Sequence, residues 1–431
     1  MEDHNALILN SDFQYALERM ENSSDLLFIT GRAGTGKSTL LQLFRNTTRK
    51  KVVVLAPTGV AALNVKGQTI HSFFGFPPRL LDPGRDIKRR RYRKLYERLD
   101  TIIIDEISMV RADMLDNIDY FLRLNRDDPR PFGGVQMLFF GDLFQLPPVV
   151  ASEVEKHLFQ TTYDSPYFFS SRVLQPPVTM EMIELEKVYR QENRFFLRLL
   201  DAIRLNRLDY DELEALNDRH LPKEPVPDLA ITLSARNARV DAINKAELER
   251  IPMPVKHYTA KVNGQFPDRL FPTEAILALK LNAQVMFLRN DADKRFVNGT
   301  IGKVTKLEDD SVTVLVEEGG QKRYIETERQ EWEILRYKID EKKPEEIATE
   351  TLGSFKQFPL RLAWSVTIHK AQGKTFDRVI IDLGRGAFEH GQTYVALSRC
   401  RTLEGIILRQ PIRHRDVITD ERIIHFYESQ R

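Results

Sequence analysis

Three features are scarce in this sequence, and each scarcity excludes a class of protein or site. Cysteine occurs once among 431 residues, at Cys400, so an intrachain disulfide is impossible and cysteine alone cannot make a zinc site. No apolar run approaches the roughly 18 residues of a membrane-spanning helix, so no such helix is expected. Basic and acidic residues nearly cancel, 64 against 62, so any surface for a polyanion must be local rather than global.

The remaining composition is that of a globular protein with sizeable cores. Its 431 residues predict two or three domains, and 42% are apolar. Short apolar runs separated by helical patterns predict buried strands of a parallel sheet that is covered on both faces. In the first half these runs are Asp25–Thr30, Lys51–Ala56, Thr101–Asp105 and Gln136–Gly141. After about Glu186 the pattern resumes, with strands at Asp228–Ser234, Ala283–Leu288, Arg378–Leu383 and Gly405–Leu408 and helices at Asn237–Arg250 and Thr393–Cys400.

Two segments depart from the α/β pattern. Gln68–Arg85 is rich in Phe, Pro and Gly without a helical period, which predicts an insertion or a long loop. Phe296–Tyr337 contains short alternating strands broken by NG, DD and GG turns, which predicts a small antiparallel barrel or sandwich. The expected architecture is therefore two α/β lobes, with a small β module inserted in the second.

A phosphate-binding loop is predicted between the first strand and the helix that follows it. Gly31–Ser38 fits the pattern G-x-x-x-x-G-K-[ST], in which glycines let successive backbone N–H groups face phosphates at a helix N-terminus. Lys37 is expected to reach the β and γ phosphates of ATP, and the Ser38 hydroxyl to bind Mg²⁺. The neighbouring loop residues expected to contact the nucleotide are Gly34, Thr35, Gly36 and Thr39.

Two carboxylates follow the run TIIID, at the end of a predicted parallel strand where ligands bind in such sheets. Asp105 is expected to bind Mg²⁺, and Glu106 to act as the base that polarises the attacking water. The alternative is a carboxylate pair that caps the following helix, which the matching phosphate loop makes the weaker interpretation. Together the two motifs predict a site that hydrolyses ATP.

Three further residues favour a motor over a kinase. Gln145, in GDLFQLPP after another apolar run, could hydrogen-bond the γ phosphate or the attacking water. Arg190, in KVYRQ, and Arg399, in YVALSRC, have the contexts of arginine fingers, which stabilise charge during phosphoryl transfer and couple the site to lobe closure. A lone arginine is more often a surface ion pair, and the motif contexts are what favour the functional interpretation.

In their order along the chain, these motifs resemble the Pif family of DNA helicases, in the 5′-to-3′ branch of helicase superfamily one, and more distantly the RecD helicases. The resemblance runs from about Leu9 to about Glu404 and rests on GRAGTGKST, APTGVAALNVKGQTIHSFF, DEISM, FFGDLFQLPPV, KVYRQ, TIHKAQGKTFD and YVALSRCR. It implies an ATP-dependent helicase that moves 5′ to 3′ on single-stranded DNA and unwinds duplexes. Forks, RNA–DNA hybrids and G-quadruplexes are expected substrates of the family.

The resemblance also implies a fold, namely two RecA-like parallel-sheet domains with ATP between them. The first would span residues 1–185, with a wedge insertion at 65–81 beside the duplex junction. The second would span 186–288 and 348–431, interrupted by an SH3-like β-barrel insertion at 289–347. Within this frame Gln14 would read the adenine, and Gly373 and Lys374 would join the nucleotide or strand contacts at the lobe interface.

A helicase track needs polar or cationic groups for phosphates and flat groups for bases. The residues expected to contact DNA are Thr58, Gly59, Thr69, His71, Phe73, Phe74, His369 and Lys370. Core packing is the alternative for the two phenylalanines, and we expect one of them in the core. A structural hydrogen bond is the alternative for either histidine. The charge run Arg85–Arg98 is divided between a DNA surface and a solvated helix face.

Assembly and location follow from the same resemblance. We expect a monomer, since one chain completes the ATP site, and a cytoplasmic, nucleoid-associated protein if the source is bacterial. The opening residues, MEDHNALILNSD, resemble neither a signal peptide nor a transit peptide. Two other functions remain open: an ATP-gated protein that remodels protein–DNA complexes without separating strands, and a phosphate-loop enzyme that acts on a small molecule, such as a nucleotide kinase.

Overall fold

The structure is a computed structural model that describes residues 10–191, 193–222, 225–291, 293–318, 320–343 and 345–430. The expected domain limits at residues 1 and 431 and the expected start of the resemblance at Leu9 lie outside these ranges. Among the described residues no helix is long and apolar enough to cross a membrane.

The first part of the chain builds a parallel sheet and the helices around it, here called the first lobe. Its strands are β1 (Leu26–Gly31), β2 (Val52–Ala56), β3 (Gln68–Thr69), β4 (Thr101–Ile104), β5 (Gln136–Phe140) and β6 (Met180–Leu185). Its helices are α1 (Ser11–Asn22), α2 (Lys37–Thr47), α3 (Gly59–Asn64), α4 (Ile70–Phe74), α5 (Pro83–Asp86), α6 (Lys94–Glu97), α7 (Ala112–Arg126) and α8 (Glu153–Thr161).

The rest of the chain contributes a second parallel sheet and several antiparallel strands. Its helices are α9 (Arg194–Arg204), α10 (Tyr210–Asn217), α11 (Asn237–Arg250), α12 (Ile368–Ala371), α13 (Gln392–Leu397) and α14 (Glu421–Ser429). Its strands are β7 (Ile231–Ser234), β8 (Lys256–Thr259), β9 (Lys261–Gly264), β10 (Ile276–Leu279), β11 (Gln284–Phe287), β12 (Ile301–Leu307), β13 (Ser311–Glu318), β14 (Gln321–Glu328), β15 (Gln330–Ile339), β16 (Ile347–Gln357), β17 (Leu360–Leu362), β18 (Ser365–Thr367), β19 (Val379–Asp382) and β20 (Ile406–Leu408).

The first-lobe sheet has the order β3-β2-β4-β5-β1-β6, and every pairing in it is parallel. Along β1, Leu27 and Ile29 pack into one hydrophobic cluster, while Phe28 packs into another. Alternate side chains of a strand point to opposite faces, so both faces of this sheet are buried. This burial explains why the strands are continuous apolar runs, and it confirms the α/β interpretation.

The second lobe is built on a parallel sheet of order β18-β7-β19-β20. Helix α11 has the bounds that the sequence predicted, Asn237–Arg250. Two parallel sheets in one chain confirm the expected pair of RecA-like lobes. One expected strand is placed differently: Gln284–Phe287 pairs antiparallel with β12 and β17, in a different sheet from that of the second lobe.

The antiparallel strands lie within residues 256–362, here called the β region, which is larger than the expected insertion at 289–347. One sheet has the order β14-β13-β12-β11-β17, another the order β15-β16-β9, and β8 pairs with β10. The sequence predicts a strand at Ala283–Leu288 and places it in the second lobe. Its side chains Val285 and Phe287 instead fill the core between these antiparallel strands.

The Phe-rich segment after β2 is more ordered than an insertion or long loop. Gln68 and Thr69 form β3, the parallel edge strand beside β2, and α4 follows immediately. Phe73 and Phe74 are 5% and 0% exposed, respectively, and their rings pack edge-to-face at 4.9 Å. The expectation that one of them remains available for a DNA base is wrong, because both rings fill the space between α4, α6 and α7.

The C-terminal helix returns to the first lobe. The ring of Phe426 on α14 stacks on that of Phe169 at 4.3 Å, and the Tyr427 hydroxyl donates to Glu184 of β6. Behind this helix lies Arg204, at the end of α9, which is 3% exposed. The first lobe, α9 and α14 therefore share one buried junction.

Candidate functional site

The predicted phosphate loop connects β1 to α2 and has the expected geometry. Gly34 and Gly36 adopt φ values of +87° and +89°, which side chains with a Cβ rarely adopt. A Cβ on Gly34 would lie 2.6 Å from that of Arg190, so the close approach also requires glycine. Lys37 Nζ donates to the carbonyls of Gly31 and Arg32 at 2.6 and 3.1 Å. The ammonium thus lies inside the loop that would surround the phosphates.

The two predicted carboxylates directly follow β4. Burial raises the pKa of Asp105 and of Glu106; for Glu106 the neighbouring Asp105 adds to the effect, and Lys37 opposes it. Glu106 has a φ of +53°, a left-handed conformation that costs a non-glycine residue energy and is often found at functional sites. A buried carboxylate with a raised pKa is a suitable proton acceptor for a water molecule.

Gln145 belongs to a hydrogen-bond network that the sequence did not predict. Its Nε2 donates to Asp142 Oδ2 at 3.1 Å. The Tyr394 hydroxyl, from α13 of the second lobe, donates to the same oxygen at 3.5 Å and accepts from the backbone N–H of Ala33 at 3.1 Å. Tyr394 thereby joins the phosphate loop to the second lobe. Both Asp142 and Tyr394 lie within the motifs used above, but neither was selected.

The two arginines meet at the lobe interface. The N–H of Tyr189 donates to Gly34 O at 2.9 Å, which fixes Arg190 beside the phosphate loop. The Arg190 guanidinium donates to Ser398 O at 3.1 Å, and that of Arg399 to Ser398 Oγ at 2.8 Å. Burial, with Arg399 nearby, lowers the pKa of Arg190 to about 9, and burial lowers that of Arg399 to about 10. Two desolvated cations therefore lie together beside the site.

A single cleft of about 2280 Å³ brings most of the predicted nucleotide residues together. It is lined by Gly34, Thr35, Gly36, Lys37, Ser38, Thr39, Asp105, Glu106, Gln145, Arg190, Gly373, Lys374 and Arg399. Gln14 is exposed on α1 and is not part of this lining, whereas its neighbour Phe13 is. The β region closes the far side of the cleft, with Asn298 and Trp332 among its lining residues.

The predicted strand contacts lie at the starts of short helices, after strands of both lobes. Thr58, Thr69 and Thr367 cap α3, α4 and α12, and each side chain accepts a backbone N–H. His71 lies on α4, where burial, then Arg111 and Arg269, lower its pKa. His369 and Lys370 are exposed on α12, and His369 Nε2 lies 3.5 Å from Glu389.

Two other segments predicted to contact DNA are engaged by neighbouring residues. Gly59 at the start of α3 is covered by Leu270 of the β region, since a Cβ there would lie 2.2 Å from Leu270 Cδ2. The charge run Arg85–Arg98 forms no continuous helix, so its interpretation as a helix face is wrong. Two of its arginines, Arg89 and Arg93, form ion pairs with Asp127 instead.

Comparisons with known proteins agree with this arrangement. A family model described as PIF1-like helicase matches residues 9–212. Human ATP-dependent DNA helicase PIF1 is 33% identical over 98% of this chain and 64% of its own length. The chain spans 63% of the length of the mouse ATP-dependent DNA helicase PIF1. The Pif1 helicase of Bdellovibrio bacteriovorus is 30% identical over 94% of this chain and 89% of its own length.

Solved structures of similar proteins include two of Bacteroides Pif1. The structure in complex with ADP-AlF4 is 37% identical, covers 98% of this chain and 97% of its own, and superimposes with a TM-score of 0.91. The structure bound to single-stranded DNA is 38% identical over the same shares of both chains, with a TM-score of 0.69.

Proposed function

The chain belongs to the PIF1-like helicase family, and from that membership we propose that it is an ATP-driven motor that moves 5′ to 3′ on single-stranded DNA and separates duplexes. The observation that carries the proposal is the cleft in which the phosphate loop and Glu106 of the first lobe face Arg399 of the second. A site that needs both lobes ties hydrolysis to their relative movement, as translocation requires.

In the proposed hydrolysis step, Glu106, Lys37 and Gln145 each have a separate role. A water oxygen attacks the γ phosphorus while the bond to the β–γ bridging oxygen breaks, and Glu106 accepts the proton of the water. Lys37 compensates the charge on the phosphate oxygens. Gln145 Nε2 donates to Asp142, so its Oε1 is left to accept a hydrogen bond from a donor in the cleft. The leaving group is ADP.

The donor set fits Mg²⁺ delivered together with the nucleotide. No group of three or more His, Cys, Asp or Glu side chains suitable for a metal occurs in the described part of the chain. Ser38 and Asp105 offer one hydroxyl and one carboxylate, and Mg²⁺ usually combines one or two such ligands with phosphate and water oxygens. Bound there, Mg²⁺ would neutralise charge on the β and γ phosphates.

The arginines supply the response of the second lobe. Their guanidinium groups donate to neutral carbonyl and hydroxyl oxygens, among them Ser398 O and Oγ. A phosphate oxygen is a stronger acceptor than either, because charge-assisted hydrogen bonds are roughly twice as strong as neutral ones. Arg399 would therefore move toward the γ phosphate when ATP binds and draw the second lobe closed, while Arg190 would approach the same phosphate from its place beside the phosphate loop.

The proposed strand path crosses both lobes at the helix starts. Thr58 and Thr69 lie on the first lobe, and His369 and Lys370 lie on α12 of the second. Closure of the cleft would change the spacing of these contacts along a strand.

Residues 65–81 are proposed as the wedge at the junction, and the β region as the SH3-like insertion beside the strand. Within the wedge, the residues exposed outside the buried α4 core include Pro78 and Arg79, and the Arg79 guanidinium pairs with Asp86 at 2.6 Å.

Forked duplexes are the first substrate we propose, because one solved structure of similar Pif1 helicases concerns DNA unwinding at forked double-stranded DNA. RNA–DNA hybrids and G-quadruplexes follow from the family resemblance and can be compared in the same assay. We propose a monomer as the active unit, since one chain supplies every group of the cleft named above.

The test is strand separation on partial duplexes with either a 5′ or a 3′ single-stranded tail, with ATP and Mg²⁺. Wild type is compared with Lys37→Ala, which removes the phosphate-loop cation, and Glu106→Gln, which keeps the shape of the base but not its basicity. We expect opening of the 5′-tailed duplex alone, and its loss in both variants. Opening of only the 3′-tailed duplex would overturn the polarity, and stimulated ATP turnover without opening would favour the remodeller.

A further inference from the structure

Gln372 reaches from the second lobe to two of the catalytic groups of the first. It directly follows α12, and its Nε2 lies 3.2 Å from Glu106 Oε2 and 3.1 Å from Gln145 Oε1. The two acceptors are thereby joined through one amide nitrogen. This residue was passed over in the sequence, where its neighbours Gly373 and Lys374 were selected.

The orientation of both glutamine amides follows from the carboxylates at the ends of this chain of contacts. Asp142 can only accept when ionised, so Gln145 must direct its Nε2 toward Asp142 and its Oε1 away from it. Glu106 likewise accepts, so Gln372 must direct its Nε2 toward Glu106. That nitrogen carries two hydrogens, one for Glu106 and one for Gln145. These hydrogen bonds therefore have a single consistent arrangement of donors and acceptors.

Helix α12 connects this amide to the proposed strand path. It is four residues long, with Thr367 at its start, His369 and Lys370 exposed along it, and Gln372 at its end. Ile368 and Ala371 are buried, so this short helix holds His369, Lys370 and the Gln372 amide in a fixed relation to one another. A strand that shifted His369 or Lys370 would therefore also shift the Gln372 amide.

We propose that Gln372 is a positioning residue through which a bound DNA strand sets the orientation of Glu106 and Gln145. This inference rests on the proposed function and names the contact by which the strand stimulates ATP hydrolysis. Gln372 acts through Glu106 and Gln145, and it does not itself contact the reacting atoms. Its loss would leave both the strand path and the phosphate loop intact.

The experiment measures ATP turnover and binding for wild type, Gln372→Leu, Gln372→Glu and Lys370→Ala. With saturating oligo-dT, we expect Gln372→Leu to lower kcat by about tenfold, equivalent to about 1.4 kcal/mol in the barrier. Gln372→Glu should lower it further, because a second carboxylate would face Glu106. Affinity for labelled oligo-dT and for ADP should stay within about twofold of wild type in Gln372→Leu. Lys370→Ala is the contrasting variant and should weaken oligo-dT binding, which Gln372→Leu should not.

The outcomes separate this inference from the proposed function. If wild-type turnover does not respond to oligo-dT, the motor function itself fails. If wild type responds and Gln372→Leu has the same saturating kcat, the positioning role is refuted while the motor stands. Weakened oligo-dT binding in Gln372→Leu, to the extent seen in Lys370→Ala, would make Gln372 a strand contact and would also refute it.

Discussion

The buried junction between the lobes predicts a large loss of stability when Arg204 is replaced by Met. Its guanidinium lies 3.5 Å from Asp142 and 3.8 Å from Glu184, and 4.1 Å from the centre of the Phe144 ring. Although burial opposes it, Asp142 raises the pKa of Arg204, so the group stays charged. Met keeps much of the volume but leaves two carboxylates without their cation. Breaking a buried ion pair from one side costs about 3–5 kcal/mol.

Thermal unfolding would measure this loss. At about 2.1 cal/mol/K of unfolding entropy per residue, a loss of 3–5 kcal/mol over 431 residues lowers Tm by about 3–6 °C. The matched control is Arg198→Met on the same helix, where the side chain is 67% exposed and pairs with Glu212 at 3.5 Å. An exposed pair contributes about 0–1 kcal/mol, so the control should shift Tm by about 1 °C or less. Equal shifts in the two variants would refute the buried-pair reasoning.

Three further predictions test other parts of the structure. Phe74→Ala should cost about 3–5 kcal/mol in a thermal melt, yet leave affinity for oligo-dT unchanged, because the ring is in the core. Gly34→Ala should abolish binding of a fluorescent ADP analogue, because its Cβ would meet Arg190, whereas Gly384→Ala, at a left-handed position with open space, should bind normally. Burial lowers the pKa of His390, so the unfolded chain binds this proton before the folded protein does as the pH falls. The Tm should therefore decrease below about pH 6.5, and the decrease should be smaller for His390→Asn.

The phosphate loop and the carboxylates could be predicted from the sequence because their geometry is local. Gly31–Ser38 is one continuous segment that contains both the glycines and the lysine of the motif, and the strand before it is an apolar run. The parallel sheets could be predicted for a similar reason, since burial on both faces leaves a continuous apolar signature in each strand. Neither the phosphate loop nor the buried strands require information from distant parts of the sequence.

The errors arise where a pattern has more than one packing solution. Phe73 and Phe74 are adjacent, so one of them was expected to point away from the core, but a one-turn helix surrounded by α6 and α7 buries both. The strand Gln284–Phe287 is fully buried, as a parallel strand would be, yet it lies inside an antiparallel core. Burial alone does not identify the sheet to which a strand belongs.

Two residues that join the lobes, Tyr394 and Gln372, were not selected from the sequence. The hydrogen bond from Ala33 to Tyr394 joins positions 361 residues apart, and that from Gln372 to Glu106 joins positions 266 residues apart. Each residue lies in a recognisable motif, but the motif does not say which of its polar side chains crosses the interface. Only the docking of one lobe on the other makes that choice.

The polar groups behind the cleft form one continuous path that alternates between the lobes. Arg204 of the second lobe contacts Asp142 of the first, Asp142 accepts from Gln145, and Gln145 accepts from Gln372 of the second lobe, which also donates to Glu106. Every step except that between Asp142 and Gln145 crosses the interface. A change in the relative position of the lobes must therefore alter at least one contact of Gln145 or Glu106. Because these contacts hold the proposed base Glu106 and the glutamine beside it, the proposed motor would couple lobe movement to hydrolysis through this geometry rather than through a separate relay.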